Sequence, residues 1–300
     1  MHPLLLLELE GMGYVVDYQP DIDQEGVLKV IAEYAGLIIN SKISAGVQLI
    51  DLGVRLKFIG RLGAGLEVID QAYASTKDIV CFSTPEGNCD AVAEHAMGML
   101  LGLMNHINRA DAQVRKGQWS REPNRGVELG GKTVGIIGYG NTGTAFAKRL
   151  TGFDVRILAY DKYKSGFGTG TIEETRLDTI YECADIVSLH VQLTDETNFL
   201  VNKKFIKQFS RPFYLINTSR GKVVNTEDLL WGIEQGLILG AALDVLENEK
   251  LESFSKSELI QFERLCSLDN VLLTPHIAGW TKESKEKIAK AMAFKIKGIL

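Results

Sequence analysis

The chain is expected to fold as an α/β protein with two doubly wound parallel sheets. Short apolar runs alternate with stretches patterned as helices, the signature of parallel strands joined by crossovers. One of these repeats, residues 133–150, reads as strand, glycine turn and helix in succession. The 300 residues suffice for two cores of ordinary size.

Taken in order, the first element is a helix. Leu4 to Leu7 is an apolar run, but Glu8 and Glu10 follow at once and no basic stretch precedes it, which excludes a secretory signal. Gly11-Met12-Gly13 closes this helix, and Tyr14 to Tyr18 is expected as a strand. Strands are then expected at Leu37–Ile39, Phe58–Ile59 and Ile79–Val80, with helices over Gln24–Tyr34 and Ser44–Leu49. A single long helix is expected from Asp90 to Lys116, with Val92, Ala96, Met99, Leu100, Leu103 and Ile107 at helical spacing. Six strands follow, at Val134–Ile137, Val155–Ala159, Ile186–Leu189, Phe213–Ile216, Leu239–Leu243 and Val271–Leu273, with crossover helices such as Thr142–Leu150 and Thr226–Gln235 between them. Thr281 to Leu300 reads as an amphipathic helix returning to the first domain. The expected division is therefore 1–86 with 279–300, and 87–278.

Composition narrows the function. Thirty-three Lys and Arg against 38 Asp and Glu leave a net charge of −5, which argues against a nucleic-acid-binding face. No apolar run approaches the ~18 residues of a membrane span. Cys81, Cys89, Cys183 and Cys266 are scattered, with no CxxC and no metal-ligand spacing. They read as reduced thiols of a cytoplasmic protein without a metal site.

Gly138-Tyr139-Gly140-Asn141-Thr142-Gly143 is a GxGxxG, weak alone but strong between a strand and a helix. Gly138 permits the tight turn, Gly140 lets backbone approach a pyrophosphate, and Gly143 lets helix and strand pack closely. The helix start at Asn141 and Thr142 offers free N–H groups and a positive dipole end to phosphate. Asp161 lies 18 residues past Gly143, where an acid accepts the adenosine ribose hydroxyls and repels a 2′-phosphate. Lys162 and Lys164 soften that exclusion slightly. The expected cofactor is NAD.

Three further segments follow strands of the same sheet: Asn217 to Gly221, Leu243 to Glu249, and Thr274 to Gly279. With Gly60-Arg61-Leu62-Gly63-Ala64-Gly65, Ala93-Glu94-His95 and Ser188-Leu189-His190, they resemble the D-isomer-specific 2-hydroxyacid dehydrogenases, most closely those acting on D-3-phosphoglycerate. The resemblance spans nearly the whole chain. It implies a Rossmann NAD-binding domain inserted in a flavodoxin-like substrate domain, and a homodimer joined through the Asp90–Lys116 helix and the Trp119–Val127 segment. It also implies that Arg220, Glu249 and His276 are catalytic, that Asp244 holds the nicotinamide carboxamide, and that Thr218, Ser219, Gly279 and His190 line the cofactor cleft. His95 reads as helix packing.

These residue types suit the reaction. Arg220 can grip a substrate carboxylate with its planar fork. His276 can exchange a proton with the C2 oxygen, and Glu249 beside it would favour the imidazolium. Glu249 is the least secure, because Glu247, Lys250 and Glu252 make its surroundings look like a solvated loop. By the resemblance, backbone N–H groups of Gly63, Ala64 and Gly65 contact the substrate, and Arg61 matches a phosphate contact. Asn40 stands where a second basic residue is expected, although Lys42 is near. The leading substrate pair is therefore 3-phosphoglycerate and 3-phosphohydroxypyruvate, with hydroxypyruvate and glyoxylate left open. A catalytically idle NAD(H) sensor would carry the same residues. A methyltransferase would give the Arg220, Glu249 and His276 set no role.

Overall fold

The computed structural model describes residues 1–299. The chain divides into two compact units, one of Met1–Cys89 with the segment from Trp280 onward, the other of Asp90–Gly279. The switch points expected from sequence were 86/87 and 278/279.

In the first unit, three parallel strands run in chain order: β1 (Gly36–Ile39), β2 (Phe58–Arg61) and β3 (Val80–Ser83). Neighbouring residues of β2 serve opposite faces, as the pleat requires. Ile59 packs with Val27, Ile31, Leu49 and Ile50, whereas Phe58 packs with Leu5, Leu9, Met292 and Ile296. The second cluster brings together the first helix, Pro3–Gly11, and the last, Lys282–Lys297. The last helix starts on a reciprocal cap in which Thr281 and Ser284 satisfy each other's backbone N–H. Tyr14 to Tyr18 is not a strand. The segment joins no strand ladder among the described residues and Val15 is 97% exposed; it is held by side chains instead, the Tyr14 ring edge-on to Phe58, Val16 against the same cluster and the Asp17 carboxylate accepting the Tyr34 hydroxyl.

The second unit holds seven parallel strands: β4 (Thr133–Ile137), β5 (Arg156–Tyr160), β6 (Ile172–Glu174), β7 (Ile186–Leu189), β8 (Phe213–Asn217), β9 (Ile238–Leu243) and β10 (Val271–Leu273). Their order is β10-β9-β8-β7-β4-β5-β6, so strand order reverses beside β4. Ligands of such sheets bind outside the carboxyl ends of the strands at this reversal. Val187, Leu189, Leu215, Ala241 and Leu243 are buried together, which explains why these strands read as continuous apolar runs. The six-strand expectation missed β6, an edge strand of three residues in which only Ile172 is buried. The expected Asp90–Lys116 helix is two helices, Pro85–Met104 and Ile107–Arg115. His106 between them adopts φ +53°, and the Met104 carbonyl accepts the Val127 N–H instead of continuing the helix. No helix among the described residues is long and apolar enough to cross a membrane.

Candidate active site

The GxGxxG turn follows β4 at the strand-order reversal. Gly138 sits at φ +94°, and a Cβ there would run into the His190 carbonyl; one at Gly143 would run into the Gly138 carbonyl. Gly140 differs, because its missing Cβ faces open space. Gly140 is also the N-cap of helix Asn141–Leu150 and supplies no side-chain cap. The first intrahelical bond is Thr144 N–H to Gly140 O at 3.0 Å, so the N–H groups of Asn141, Thr142 and Gly143 precede it. Packed glycines behind and an open glycine in front make a cradle for phosphate oxygens.

Asp161 follows directly on β5. Its carboxylate accepts the Tyr139 N–H at 2.8 Å, the Tyr163 N–H at 2.9 Å and the Lys164 N–H at 3.1 Å. Asp161 thus ties the turn after β5 to the phosphate loop. His190, expected to line the cofactor cleft, lies just past β7 and beside the glycine turn, where its carbonyl faces Gly138. Its ring lies 5.2 Å from Phe146, its Nε2 pairs with Ser188 Oγ at 2.9 Å, and burial pushes the imidazole down to about 3. Its Nδ1 and the Thr218 Oγ1 are buried polar atoms without a partner among the described residues. Such atoms are costly unless a bound group satisfies them. The open cradle and these two atoms fit a dinucleotide.

Arg220 follows β8. Asn217, buried, organises the turn by accepting the Ser219 N–H at 3.0 Å and hydroxyl at 2.7 Å, and by donating to the Arg220 carbonyl at 2.9 Å. Gly221 packs so tightly on the Leu246 carbonyl that a Cβ there would collide, which pins the Arg220 backbone. The Arg220 guanidinium donates to the Ser219 carbonyl at 2.7 Å.

The third turn, after β10, carries His276 at φ +55°, a conformation that costs a non-glycine residue of order 1–3 kcal/mol. Asp244, 1% exposed at the end of β9, holds it there. Its Oδ1 accepts from Thr274 Oγ1 at 2.6 Å and the Ile277 N–H at 2.9 Å, and its Oδ2 accepts the Ala278 N–H at 2.9 Å. The Asp244 carbonyl takes the His276 N–H at 2.7 Å. The carboxylate expected to hold a nicotinamide carboxamide thus also anchors this turn, because a buried charge demands partners. His95 is more than helix packing, since its Nε2 meets Thr274 Oγ1 at 3.0 Å. His276 Nδ1 lies 2.9 Å from Glu249 Oε2, with both side chains nearly half exposed. Gly279 ends this unit.

β8, β9 and β10 are adjacent and parallel, with Asn217 opposite Leu243 and Leu243 opposite Leu273. Arg220, Asp244, Glu249 and His276 consequently emerge at one end of one sheet. A cation for a carboxylate and a carboxylate-paired imidazole for a proton are what oxidation of a 2-hydroxy acid requires. Residues 97–278 match the family model described as "D-isomer specific 2-hydroxyacid dehydrogenase, NAD binding domain". The chain belongs to this family.

Its relatives agree over nearly the full length. The D-2-hydroxyacid dehydrogenase is 35% identical to a hydroxypyruvate reductase of Thermotoga maritima, over 92% of this chain and 88% of the relative. It is 38% identical to a glyoxylate reductase of Thermofilum pendens, over 95% of this chain and 83% of the relative. D-3-phosphoglycerate dehydrogenases also match, with this chain spanning about half their length. Among solved structures, the D-lactate dehydrogenase of Aquifex aeolicus, complexed with NAD and lactic acid, superposes with a TM-score of 0.86 at 29% identity, covering 98% of this chain and 91% of that one. The larger unit is a Rossmann domain, and the enzyme is an NAD-dependent D-2-hydroxyacid dehydrogenase.

The residues expected from sequence to meet the substrate belong to the smaller unit. Ile39 pairs with Arg61, so Asn40, Lys42 and Arg61 sit at the same end of β1 and β2. The Arg61 guanidinium lies against Gly63, at φ +135°, leaving no room for a Cβ there. Asn40 Oδ1 accepts the Lys42 N–H at 2.8 Å and closes a local turn. Ala64 and Gly65 follow in the bend between β2 and helix Gln71–Thr76.

Proposed function

We propose that this dehydrogenase reduces short unphosphorylated 2-keto acids, hydroxypyruvate and glyoxylate, to their D-2-hydroxy acids. The observation that carries the chemistry is the His276–Glu249 pair at 2.9 Å on a turn anchored by Asp244. Gly138–Gly143, Asp161, Thr218, Ser219 and Gly279 would hold NAD(H), which would supply the hydride chemistry at C2 of the acid. Arg220 holds the substrate carboxylate and polarises the C2 carbonyl. Glu249 fixes the ring through Nδ1. That leaves Nε2 of His276 to give its proton to the C2 oxygen in reduction and to take it back in oxidation. Asp244 serves by holding the His276 turn in its strained shape.

Asn40 supports the unphosphorylated substrate, because its amide is turned onto the Lys42 backbone where a phosphate would want a cation. The relatives reading hydroxypyruvate and glyoxylate reductase support it as well. The second reading, a phosphorylated acid, is favoured by Arg61 and Lys42 sharing one sheet end. In either case Gly63, Ala64 and Gly65 offer backbone N–H groups to the carboxylate. We place the enzyme in the cytoplasm, in keeping with four free thiols, and as a homodimer. Ile107, Val114, Trp119 and Val127, all exposed, supply an apolar face for a second copy.

NADH oxidation measured with hydroxypyruvate, glyoxylate and 3-phosphohydroxypyruvate side by side tests the proposal. Higher kcat/KM for the unphosphorylated acids is expected; preference for the phosphorylated one overturns the substrate assignment. His276→Ala should lower kcat by about 10²–10⁴, the usual contribution of a general acid–base. NADH affinity should change by less than a few-fold, and an equal loss of both would remove His276 from that role.

A further inference from the structure

Two lysines, Lys162 and Lys164, follow Asp161, and each is engaged by another group. Lys164 Nζ donates to the Tyr139 carbonyl at 3.2 Å. Lys162 Nζ lies 2.6 Å from Glu196 Oε2, an oxygen that also accepts the Tyr163 hydroxyl at 2.6 Å. Glu196 belongs to the loop after β7 and reaches across to the turn after β5, so one carboxylate ties down both side chains that immediately follow Asp161.

We propose that Glu196 is a cofactor-selectivity residue, which withholds Lys162 from the 2′-phosphate that distinguishes NADP from NAD. The inference rests on Asp161 being the ribose acceptor. A 2′-phosphate is dianionic and demands cations, and Lys162 is the near one with no backbone carbonyl holding it. Glu196 neutralises that cation and holds it away. Asp161 therefore excludes NADP by direct repulsion, whereas Glu196 acts through Lys162. The pair also lowers the Glu196 carboxyl and raises the Lys162 ammonium, so both stay charged around neutral pH. Because the pair is about half exposed, salt should weaken the effect.

The test is equilibrium binding of NADH and NADPH, followed by nicotinamide fluorescence without turnover. Glu196→Gln keeps the size and an acceptor for Tyr163 but frees Lys162. It should tighten NADPH by about threefold to fivefold, the scale of an exposed ion pair. NADH should stay within twofold, and the gain should shrink at high salt and vanish in the Lys162→Ala/Glu196→Gln double variant. Unchanged NADPH binding, an equal change for both cofactors, or a gain that survives Lys162→Ala each overturn the proposal. Asp161→Ala provides the separate reference. If it leaves the NADH/NADPH ratio unaltered, the ribose assignment itself fails; if it shifts the ratio while Glu196→Gln does not, only the role of Glu196 fails.

Discussion

The phosphate loop and the His276 turn stand at the same end of one sheet, yet they are built by opposite means. The loop is made by absent side chains: Gly138 and Gly143 pack against carbonyls, and Gly140 opens outward. Its left-handed residue is a glycine, which adopts that conformation at little cost. The turn must present a reactive imidazole, so its left-handed residue is His276, and the strain has to be offset elsewhere. Asp244 offsets it with hydrogen bonds to Thr274, Ile277 and Ala278. A site that offers only backbone is shaped by local sterics. A site that must offer a particular side chain needs a buried acid behind it.

Asp244→Asn should break the turn and spare the loop. An amide in place of the carboxylate turns a donor toward at least one N–H, and hydrogen bonds to charged groups are worth about 1.5–3 kcal/mol each. The expected outcome is a kcat lower by about 10², with faster amide exchange at Ile277 and Ala278 and NADH affinity within a few-fold. An NADH affinity that falls in parallel with kcat would show Asp244 acting on the nicotinamide end instead.

Gly143→Ala should do the reverse. Its Cβ runs into the Gly138 carbonyl, an overpacking that costs about 1–3 kcal/mol. NADH binding should weaken by about 5- to 100-fold, while the Ile277 and Ala278 amides keep their protection. Intact NADH affinity in this variant would contradict the loop as the pyrophosphate cradle.

The same contrast explains what the sequence disclosed. The loop was legible because the glycines that answer its steric demands fall within six consecutive residues, and the buried strands were legible because sheet covered on both faces needs unbroken apolar runs. The anchoring by Asp244 was not, since its partners lie 30 to 34 residues away in sequence. The His95–Thr274 bond joins residues 179 apart, and nothing local to Ala93-Glu94-His95 announces it. Glu249 sat in a charge run whose composition is that of any solvated loop, and only the fold sets it against His276. Tyr14–Tyr18 had the alternation of a strand but found no ladder among the described residues, and β6 had a ladder but almost no apolar pattern. Pattern reports burial, and pairing depends on what lies alongside. The break at Asn105–His106 was hidden for a related reason: apolar spacing runs through both helices, and the interruption comes from Val127 capturing the Met104 carbonyl.

The smallest effect lies beneath the loop, where His190 supports it from behind. Burial holds this imidazole at about 3 in the folded protein, whereas the unfolded chain titrates near ~6.5. Between those values the unfolded state binds a proton that the folded state refuses. Stability therefore falls as pH drops below about 6.5, by up to about 1.4 kcal/mol per pH unit, and levels off for this group below about 3. From pH ~6.5 to ~5.5, above the range of most carboxylates, the loss should be about 1 kcal/mol by urea unfolding. His190→Gln removes the titrating group while retaining a polar partner for Ser188, so its stability should be flatter over the same interval. The comparison is of slopes, so any constant cost of the substitution cancels. An equal slope in both proteins would mean that the His190 ring is protonated in the fold, and that its unpartnered Nδ1 is not the reason the imidazole stays neutral beneath the loop.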